Sequence, residues 1–263
     1  MIRRRIVAGL AIVAAVFGHT NSFAQKGGQE QYVSPWKTPW DYEGTRGFEH
    51  WTELDPGYAV CNTGKEQSPI DIRNAETADL PVLRIKSKAS RVRYVTNNGH
   101  TIRVNYHPGN GNFLLVEDKR YELTQFHFHH PSEEYIDGKS FDMAVHLMYQ
   151  TADGKLAGVT VFVKTGRANS TTQKIWEYMP KTEGQQVAGV EVNPAGLLPR
   201  EIGPYYVYMG SLTAPPCTEG VTWFVLKNPL EMSAEQIDAF AKLYPNNTRP
   251  PQPPNGRAVK QSR

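Results

Sequence analysis

The stretch Leu123-Thr124-Gln125-Phe126-His127-Phe128-His129 alternates between two kinds of side chain, and it decides how the rest of the chain is interpreted. Successive side chains of a β-strand point to opposite faces of a sheet. Gln125, His127 and His129 therefore share one face, while the two phenylalanines share the other. The stretch predicts a strand that buries an aromatic face and presents two imidazoles together on the opposite face.

A second strand is predicted over Phe141–Tyr149, and it carries a third histidine. Every second residue of this segment is large and apolar, and His146 falls on the opposite face, next to Ala144. If the two strands pair antiparallel with His146 opposite His129, the turn between them falls at Asp137-Gly138, a dipeptide with a strong turn preference. Directly opposed residues share a face, with Cβ atoms about 5 Å apart.

Three imidazoles that converge from two strands predict a zinc site with His127, His129 and His146 as ligands. Three protein ligands leave the fourth tetrahedral position open to water, which is the arrangement of catalytic rather than structural zinc. Alternatively, His127 and His129 could be ordinary strand histidines without a ligand role. The presence of His146 on the same predicted face makes this alternative weaker. His130 breaks the alternation and precedes Pro131, so we interpret it as a loop residue and not a ligand.

The length and composition predict one domain with a mainly β fold. The chain has 263 residues, 39% of them hydrophobic, which is enough for one substantial core. Asn98-Gly99 is a strong two-residue hairpin signal between two predicted strands. The other segments rich in Val, Tyr, Phe and Trp also predict strands. The predicted strands outside the histidine segments are Arg91–Thr96, Thr101–Tyr106, Phe113–Glu117, Leu156–Lys164, Tyr205–Met209 and Val221–Leu226.

Helices are predicted to be few. Thr171–Met179 predicts a short helix, and the capping box Ser233-Ala234-Glu235-Gln236 opens a second one. Residues 25–38 and 246–263 are polar and contain prolines, so we expect them to be irregular.

Residues 1–24 have the features of a secretory signal peptide. Three arginines precede an apolar run, Ile6–Phe17, and Ser22-Phe23-Ala24 fits a small-residue cleavage site. An uncleaved anchor is the alternative, but the run is shorter than the roughly 20 residues that span a bilayer, and no later segment qualifies. We therefore expect residues 25–263 to be exported and to contain no membrane span. The periplasm is the expected location, and secretion into the medium is the alternative.

The positive charge of the chain belongs to this signal segment. Without its three arginines, the 29 basic residues fall to 26 and match the 26 acidic ones. A neutral mature protein gives no indication of nucleic-acid binding.

Cys61 and Cys217 are the two cysteines of the chain, and both lie in the part that we expect to be exported. An oxidising compartment favours their pairing, so a disulfide is predicted. It would close a loop of about 157 residues, for which loop entropy gives at most about 5 kcal/mol of stabilisation. Two free buried thiols are the alternative.

Eight segments, in this order, carry a resemblance to one family. They are Trp40-Asp41-Tyr42-Glu43-Gly44, Glu49-His50-Trp51, Gln67-Ser68-Pro69-Ile70-Asp71-Ile72, Asn97-Asn98-Gly99-His100, Gln125-Phe126-His127-Phe128-His129, Pro131-Ser132-Glu133, Ser211-Leu212-Thr213-Ala214-Pro215-Pro216-Cys217 and Val221-Thr222-Trp223. The chain resembles an α-class carbonic anhydrase of the bacterial exported type over nearly all of its mature sequence.

The resemblance implies a central, largely antiparallel twisted sheet with a few short peripheral helices and a Zn²⁺ ion in a conical cavity. It also implies reversible hydration of carbon dioxide to bicarbonate and a proton, so the partner is a small-molecule substrate. The oligomeric state stays open, a homodimer included. Cis peptide bonds are expected before Pro69 and Pro216.

Catalytic roles for three residues follow from the resemblance alone. Thr213 would accept a hydrogen bond from the attacking hydroxide and donate its own to Glu133. His100 matches the position of the family's proton shuttle, and an ordinary histidine pKa of about 6.5 suits that role. Without the resemblance these residues would be an ordinary turn hydroxyl, loop carboxylate and surface histidine.

The resemblance also implies a substrate pocket with a mostly apolar wall. Gly158 is expected at its floor, and the other wall residues would be plain core if the resemblance were set aside. The expected pocket residues are Gln125, Met148, Gly158, Leu212, Ala214, Val221 and Trp223.

The chain departs from the family pattern at three positions. Ala144 stands where the family usually has a glutamate hydrogen-bonded to the third imidazole. Partners of this kind can be worth about 10- to 100-fold in metal affinity or activity, so Ala144 predicts weakened zinc binding and modest activity. Ala214 stands in place of a frequent threonine and Gly158 in place of a typical valine, and both changes could reshape the pocket.

Two rival functions remain open from the sequence. A cupin-like metal oxygenase or isomerase would use the three histidines together with Glu133 as a ligand of iron or manganese. Tyr121 stands where such a protein would be expected to have glycine. The second rival is a non-catalytic zinc-binding member of the same fold, which Ala144 makes conceivable.

Overall fold

Strands dominate the computed structural model, which describes residues 38–263; the predicted signal peptide lies outside the described residues. The strands are β1 (Asp71–Ile72), β2 (Glu76–Ala78), β3 (Arg84–Lys86), β4 (Ser90–Arg91), β5 (Tyr94–Asn97), β6 (Ile102–Asn105), β7 (Phe113–Val116), β8 (Lys119–His129), β9 (Tyr135–Ile136), β10 (Met143–Gln150), β11 (Leu156–Thr165), β12 (Gln186–Ala188), β13 (Glu191–Val192), β14 (Tyr205–Ser211), β15 (Glu219–Met232) and β16 (Lys260–Ser262).

The helices are short and lie between the strands. The α-helices are α1 (Trp51–Leu54), α2 (Val60–Thr63), α3 (Ser170–Glu177) and α4 (Ala234–Ala241). Single turns of 3-10 helix occur at Gly44–Arg46, Phe48–His50, Pro56–Tyr58 and Pro194–Leu197. Within residues 38–263 no helix combines the length and the apolar character that a membrane span requires.

One large twisted sheet forms the centre of the molecule. Its strands follow the order β12-β5-β6-β8-β10-β11-β15-β14-β16-β2, and β7 joins β3 to β8. Most neighbouring strands are antiparallel, whereas the pairs β11–β15 and β16–β2 are parallel. The predicted fold class, a mainly β protein with a central, largely antiparallel sheet, is confirmed.

The register of β8 and β10 places the three histidines side by side. His146 lies opposite His127, and Ala144 lies opposite His129. The expected pairing of His146 with His129 is therefore wrong by two residues. Because side chains alternate with a period of two, this shift leaves every histidine on its predicted face.

The connection between the two strands explains the register error. Asp137 and Gly138 do form a turn, with φ angles of 50° and 80°. The chain around that turn does not continue as a simple hairpin, because β9 leaves to pair with β1. A long-range contact of this kind cannot be read from the distance between the two histidine segments along the chain.

The aromatic face of β8 packs under the two longer helices. Phe126 and Phe128 are fully buried. The Phe128 ring lies 4.7 Å from Trp176 of α3 and 6.0 Å from Phe240 of α4, measured between ring centroids. The helices therefore cover the face opposite the histidines, and the histidine face is left for the cavity.

Most local predictions outside β8 and β10 are confirmed. The hairpin at Asn98-Gly99 forms, with β5 and β6 as its arms. The capping box at Ser233 begins α4. The predicted irregular C-terminus is partly wrong, because β16 lies within it and pairs with β14 and β2. This strand has three polar residues and no apolar alternation, so its neighbours rather than its sequence determine its conformation.

Cys61 and Cys217 form the predicted disulfide, which joins α2 to the loop before β15 across a sequence separation of 156. Both cysteines are buried. Arg249 lies next to this link and donates hydrogen bonds to the carbonyl oxygens of Cys61 and Ser68. The expected cis peptide bonds before Pro69 and Pro216 are present, and a third precedes Pro131.

Candidate metal centre

The three predicted ligands meet on one face of β8 and β10. The ring centroids of His127 and His129 are 4.9 Å apart, and those of His129 and His146 are 4.6 Å apart. The third pair, His127 and His146, is separated by 5.4 Å. One nitrogen from each ring lies within 4.8 Å of the others, so a single ion fits among them.

Each imidazole has one nitrogen held by a hydrogen-bond acceptor. A neutral imidazole has one donor and one acceptor nitrogen, so the nitrogen that donates fixes the position of the lone pair. The donor–acceptor pairs are His127 Nδ1 with Gln125 Oε1 at 2.9 Å, His129 Nδ1 with the Asn247 carbonyl oxygen at 2.8 Å, and His146 Nε2 with Glu134 Oε2 at 3.0 Å.

The opposite nitrogens fit a metal ion. They are Nε2 of His127, Nε2 of His129 and Nδ1 of His146, and the last two are buried without a hydrogen-bond partner. A buried polar atom that lacks a partner costs about 1–3 kcal/mol, and a cation removes this cost for all the lone pairs at once. Three neutral imidazoles are a ligand set that suits zinc.

Burial keeps two of the three imidazoles neutral, which is the form that binds metals. The pKa of His127 is held well below its usual value by burial and by the neighbouring His129 and His146. Burial and His146 lower the pKa of His129 in the same way. Burial also opposes the charge on His146, but the charge and hydrogen bond of Glu134 outweigh it and raise that pKa.

Glu133 and Thr213 come together next to the three rings. The Glu133 carboxylate is fully buried and accepts a hydrogen bond from the backbone N–H of Arg249 at 2.8 Å. Burial raises its pKa to about 7, against the opposing effects of His146, the Arg249 amide and the Thr213 side chain. Glu133 Oε2 lies 3.3 Å from His129 Nε2, without hydrogen-bond geometry.

A cavity of about 300 Å³ opens above the histidines. His100, Thr213 and most of the expected pocket residues line it. Those pocket residues are Gln125, Met148, Leu212, Ala214 and Trp223. The cavity is also lined by residues for which the sequence predicted no site role. These residues are Trp40, Tyr42, Asn98, Thr101, Arg103, Pro215 and Pro216.

Two expected pocket residues lie behind the cavity wall. Val221 is fully buried, and it is absent from the described residues that line the cavity. Gly158 lies beneath the indole of Trp223, which is its register partner across β11 and β15. A Cβ atom on Gly158 would lie 2.5 Å from that ring. The glycine therefore makes room for Trp223, whose ring lies 4.7 Å from the His146 ring.

His100 lies in the cavity wall and is held by Trp40. Its ring stacks on the indole with a centroid distance of 3.6 Å, and its Nε2 donates to the Trp40 carbonyl oxygen at 2.7 Å. Burial lowers the pKa of His100, although that hydrogen bond opposes the effect.

Two residues that hold the ligands were missed from the sequence. Asn247 is 1% exposed and lies in the segment predicted to be irregular. It holds His129 through its backbone carbonyl, so its side chain carries no signal of that role. Its side-chain Nδ2 donates to the backbone oxygens of His100 and Phe128. Glu134 is the second missed residue, because the matched motif Pro131-Ser132-Glu133 ends one residue before it.

Three histidines that could hold one metal ion, beneath a cavity in a central, largely antiparallel sheet, are typical of a catalytic metal centre with an open ligand position. The sequence profile described as eukaryotic-type carbonic anhydrase matches residues 46–263. The chain belongs to this family, the α-type carbonic anhydrases, which are lyases that hydrate carbon dioxide.

Individual relatives agree with the family match. A carbonic anhydrase from Nostoc sp. is 39% identical over 226 residues, with 84% of each chain covered. The solved structure of the α-carbonic anhydrase from Thermovibrio ammonificans, in complex with the inhibitor sulfanilamide, is 41% identical with a TM-score of 0.81, covering 87% of this chain and 100% of that one. Dioscorin complexed with ascorbate is 32% identical with a TM-score of 0.79, covering 85% of this chain and 97% of that one.

The cupin-like interpretation is wrong, because the family match covers residues 46–263 and the fold is that of the α-carbonic anhydrases.

Replacing Gly158 with alanine tests the close packing under Trp223. We expect Gly158→Ala to lower the free energy of unfolding by about 1–3 kcal/mol, because a rigid ring must move to admit the new methyl group. Denaturant unfolding of the purified protein measures this change. Gly203→Ala is the matched control, because Gly203 is exposed and a Cβ there meets no atom within 4 Å. Equal stability of the two variants would contradict the packing.

Proposed function

We propose that this chain catalyses the reversible hydration of carbon dioxide to bicarbonate and a proton, with zinc held by His127, His129 and His146. The observation that carries the proposal is the set of three imidazole nitrogens that face one point while their opposite nitrogens are held by acceptors. Zinc bound there supplies the positive charge that lowers the pKa of water, as is known for carbonic anhydrases.

Thr213 and Glu133 would orient the attacking oxygen. The carboxylate can only accept, so a hydrogen bond between the two side chains would use the Thr213 hydroxyl proton. The threonine oxygen is then left as an acceptor towards the cavity. It binds a nucleophile through that nucleophile's own O–H and leaves a lone pair free to attack.

The apolar part of the cavity suits carbon dioxide, which has no hydrogen to donate. Met148, Leu212 and Trp223 line the cavity together with the histidines. Their side chains exclude water from one side without offering hydrogen bonds that would hold bicarbonate. The substrate can therefore lie against an apolar wall, and the charged product is released to solvent.

Hydration of carbon dioxide by apo and zinc-loaded protein tests the proposal. We expect stopped-flow assays to find no catalysis without metal, recovery with one equivalent of zinc, and no recovery in His129→Ala, which has lost a ligand. His130→Ala is the matched control, because the His130 ring lies away from the other three, with Nδ1 donating to the carbonyl oxygen of Pro245. Zinc-loaded protein that does not hydrate carbon dioxide would favour the non-catalytic alternative.

We propose His100 as the group that carries protons between the site and buffer. It lines the same cavity as the three ligands, and an imidazole can both accept and release a proton. The stacking on Trp40 supports this role because it holds the ring within the cavity wall.

Replacing His100 with alanine should slow turnover in dilute buffer and leave kcat/KM for carbon dioxide unchanged. Without the imidazole, the proton must leave through buffer alone, so added imidazole should restore the rate. Stopped-flow assays over a series of buffer concentrations measure both effects. His107→Ala provides a control at an exposed histidine. Unchanged turnover of His100→Ala in dilute buffer would reject the role.

We further propose that residues 1–24 direct export and that residues 25–263 act as one catalytic domain in the periplasm. The Cys61–Cys217 disulfide supports an oxidising compartment. Cell fractionation distinguishes the periplasm from the medium and would contradict export if the protein stayed in the cytoplasm.

A further inference from the structure

The position two residues before His146 offers no carboxylate, yet the His146 ring is bound to one. Ala144 is fully buried and shares a face of β10 with His146, as residues two apart on a strand do. His146 Nε2 donates its hydrogen bond instead to Glu134, which lies in the segment between β8 and β9. A different element therefore supplies the partner that Ala144 lacks.

Glu134 is bound at both carboxylate oxygens. Oε2 accepts from His146 Nε2 at 3.0 Å, and Oε1 accepts from the Thr160 hydroxyl at 2.9 Å. Thr160 is the register partner of His146 on β11, so the carboxylate spans two adjacent strands. All three side chains are fully buried. Such a bridge fixes both the position and the rotation of the imidazole.

The charged neighbour of the Glu134 carboxylate belongs to the candidate metal centre. Within residues 38–263, His146 is the basic side chain that lies within ion-pair distance of this carboxylate. No described lysine or arginine forms an ion pair with Glu134, although a buried carboxylate is costly without a positive partner. A metal ion bound to the opposite nitrogen of the His146 ring would supply the positive charge that balances this carboxylate.

The backbone around Glu134 is fixed by its neighbours. The Ser132 hydroxyl donates to the Glu134 carbonyl oxygen at 2.9 Å. The next residue, Tyr135, donates its backbone N–H to Ile70 where β9 pairs with β1. The carboxylate therefore belongs to a rigid segment and is not a chance rotamer of a mobile loop.

We propose that Glu134 is the positioning residue of the third metal ligand and has taken over the role vacated at Ala144. The inference rests on the proposed binding of zinc. By accepting a hydrogen bond from Nε2–H, Glu134 keeps the lone pair of His146 on Nδ1, directed at the other two rings. A carboxylate in this position also makes the imidazole a stronger ligand. Zinc affinity is then maintained despite Ala144.

Moving the carboxylate from Glu134 to position 144 on β10 tests whether Glu134 positions His146 or only stabilises the fold. We expect Glu134→Ala to weaken zinc binding by about 10- to 100-fold. In the double variant Glu134→Ala/Ala144→Glu, a carboxylate again reaches the face of His146, and most of that affinity should return. Competition with a chromophoric chelator measures the affinities, and denaturant unfolding of the apo proteins measures stability. Glu191→Ala, at an exposed position on β13, controls for the loss of a carboxylate elsewhere.

Glu134→Gln provides a second variant that keeps the size of the side chain. It should fold and should still weaken zinc binding, because it removes the negative charge from the partner of His146. The visible absorption of the cobalt(II)-substituted protein should also change, since the ligand field depends on the third imidazole. Wild-type affinity and an unchanged cobalt spectrum in Glu134→Gln would overturn the inference while leaving the proposed function intact. A wild-type protein that fails to bind zinc would contradict the proposed function instead.

Discussion

The constraint on which this structure depends is the fixing of one nitrogen on each of three buried imidazoles. Because a neutral imidazole has a single N–H, the place where that proton is bound decides where the lone pair points. Three separate parts of the chain provide the acceptors: the side chain of Gln125 on β8, the carbonyl of Asn247 after α4, and the carboxylate of Glu134 before β9. The tertiary fold must bring these three segments together before the lone pairs can converge.

The packing on the other side of the sheet holds this arrangement in place. The alternation in β8 buries Phe126 and Phe128 in the core, with Phe128 packed against α3 and α4, so His127 and His129 face the cavity. The Cys61–Cys217 disulfide holds the loop that follows Thr213, and Pro215 and Pro216 of this loop line the cavity. The site therefore has a rigid floor made by the sheet and a wall held by a covalent link.

The sequence predicted the parts of the site that follow from strand alternation and from matched motifs. The convergence of His127, His129 and His146 was predicted although the register was wrong by two residues, because such a shift preserves the face. The partners of the ligands were not predicted. Asn247 holds His129 through its backbone carbonyl. Glu134 lies directly before β9, and its position depends on the pairing of β9 with β1. Strand β16 was missed for a related reason, since a short polar segment becomes a strand only when the edge of β14 is available.

The measurement that tests the central claim most directly is anomalous X-ray scattering at the zinc edge from crystals of the zinc-loaded protein. We expect a single strong peak about 2.0–2.1 Å from Nε2 of His127, Nε2 of His129 and Nδ1 of His146. A zinc peak at any other group of side chains, or contacts through the nitrogens that now donate to Gln125, Asn247 and Glu134, would contradict it.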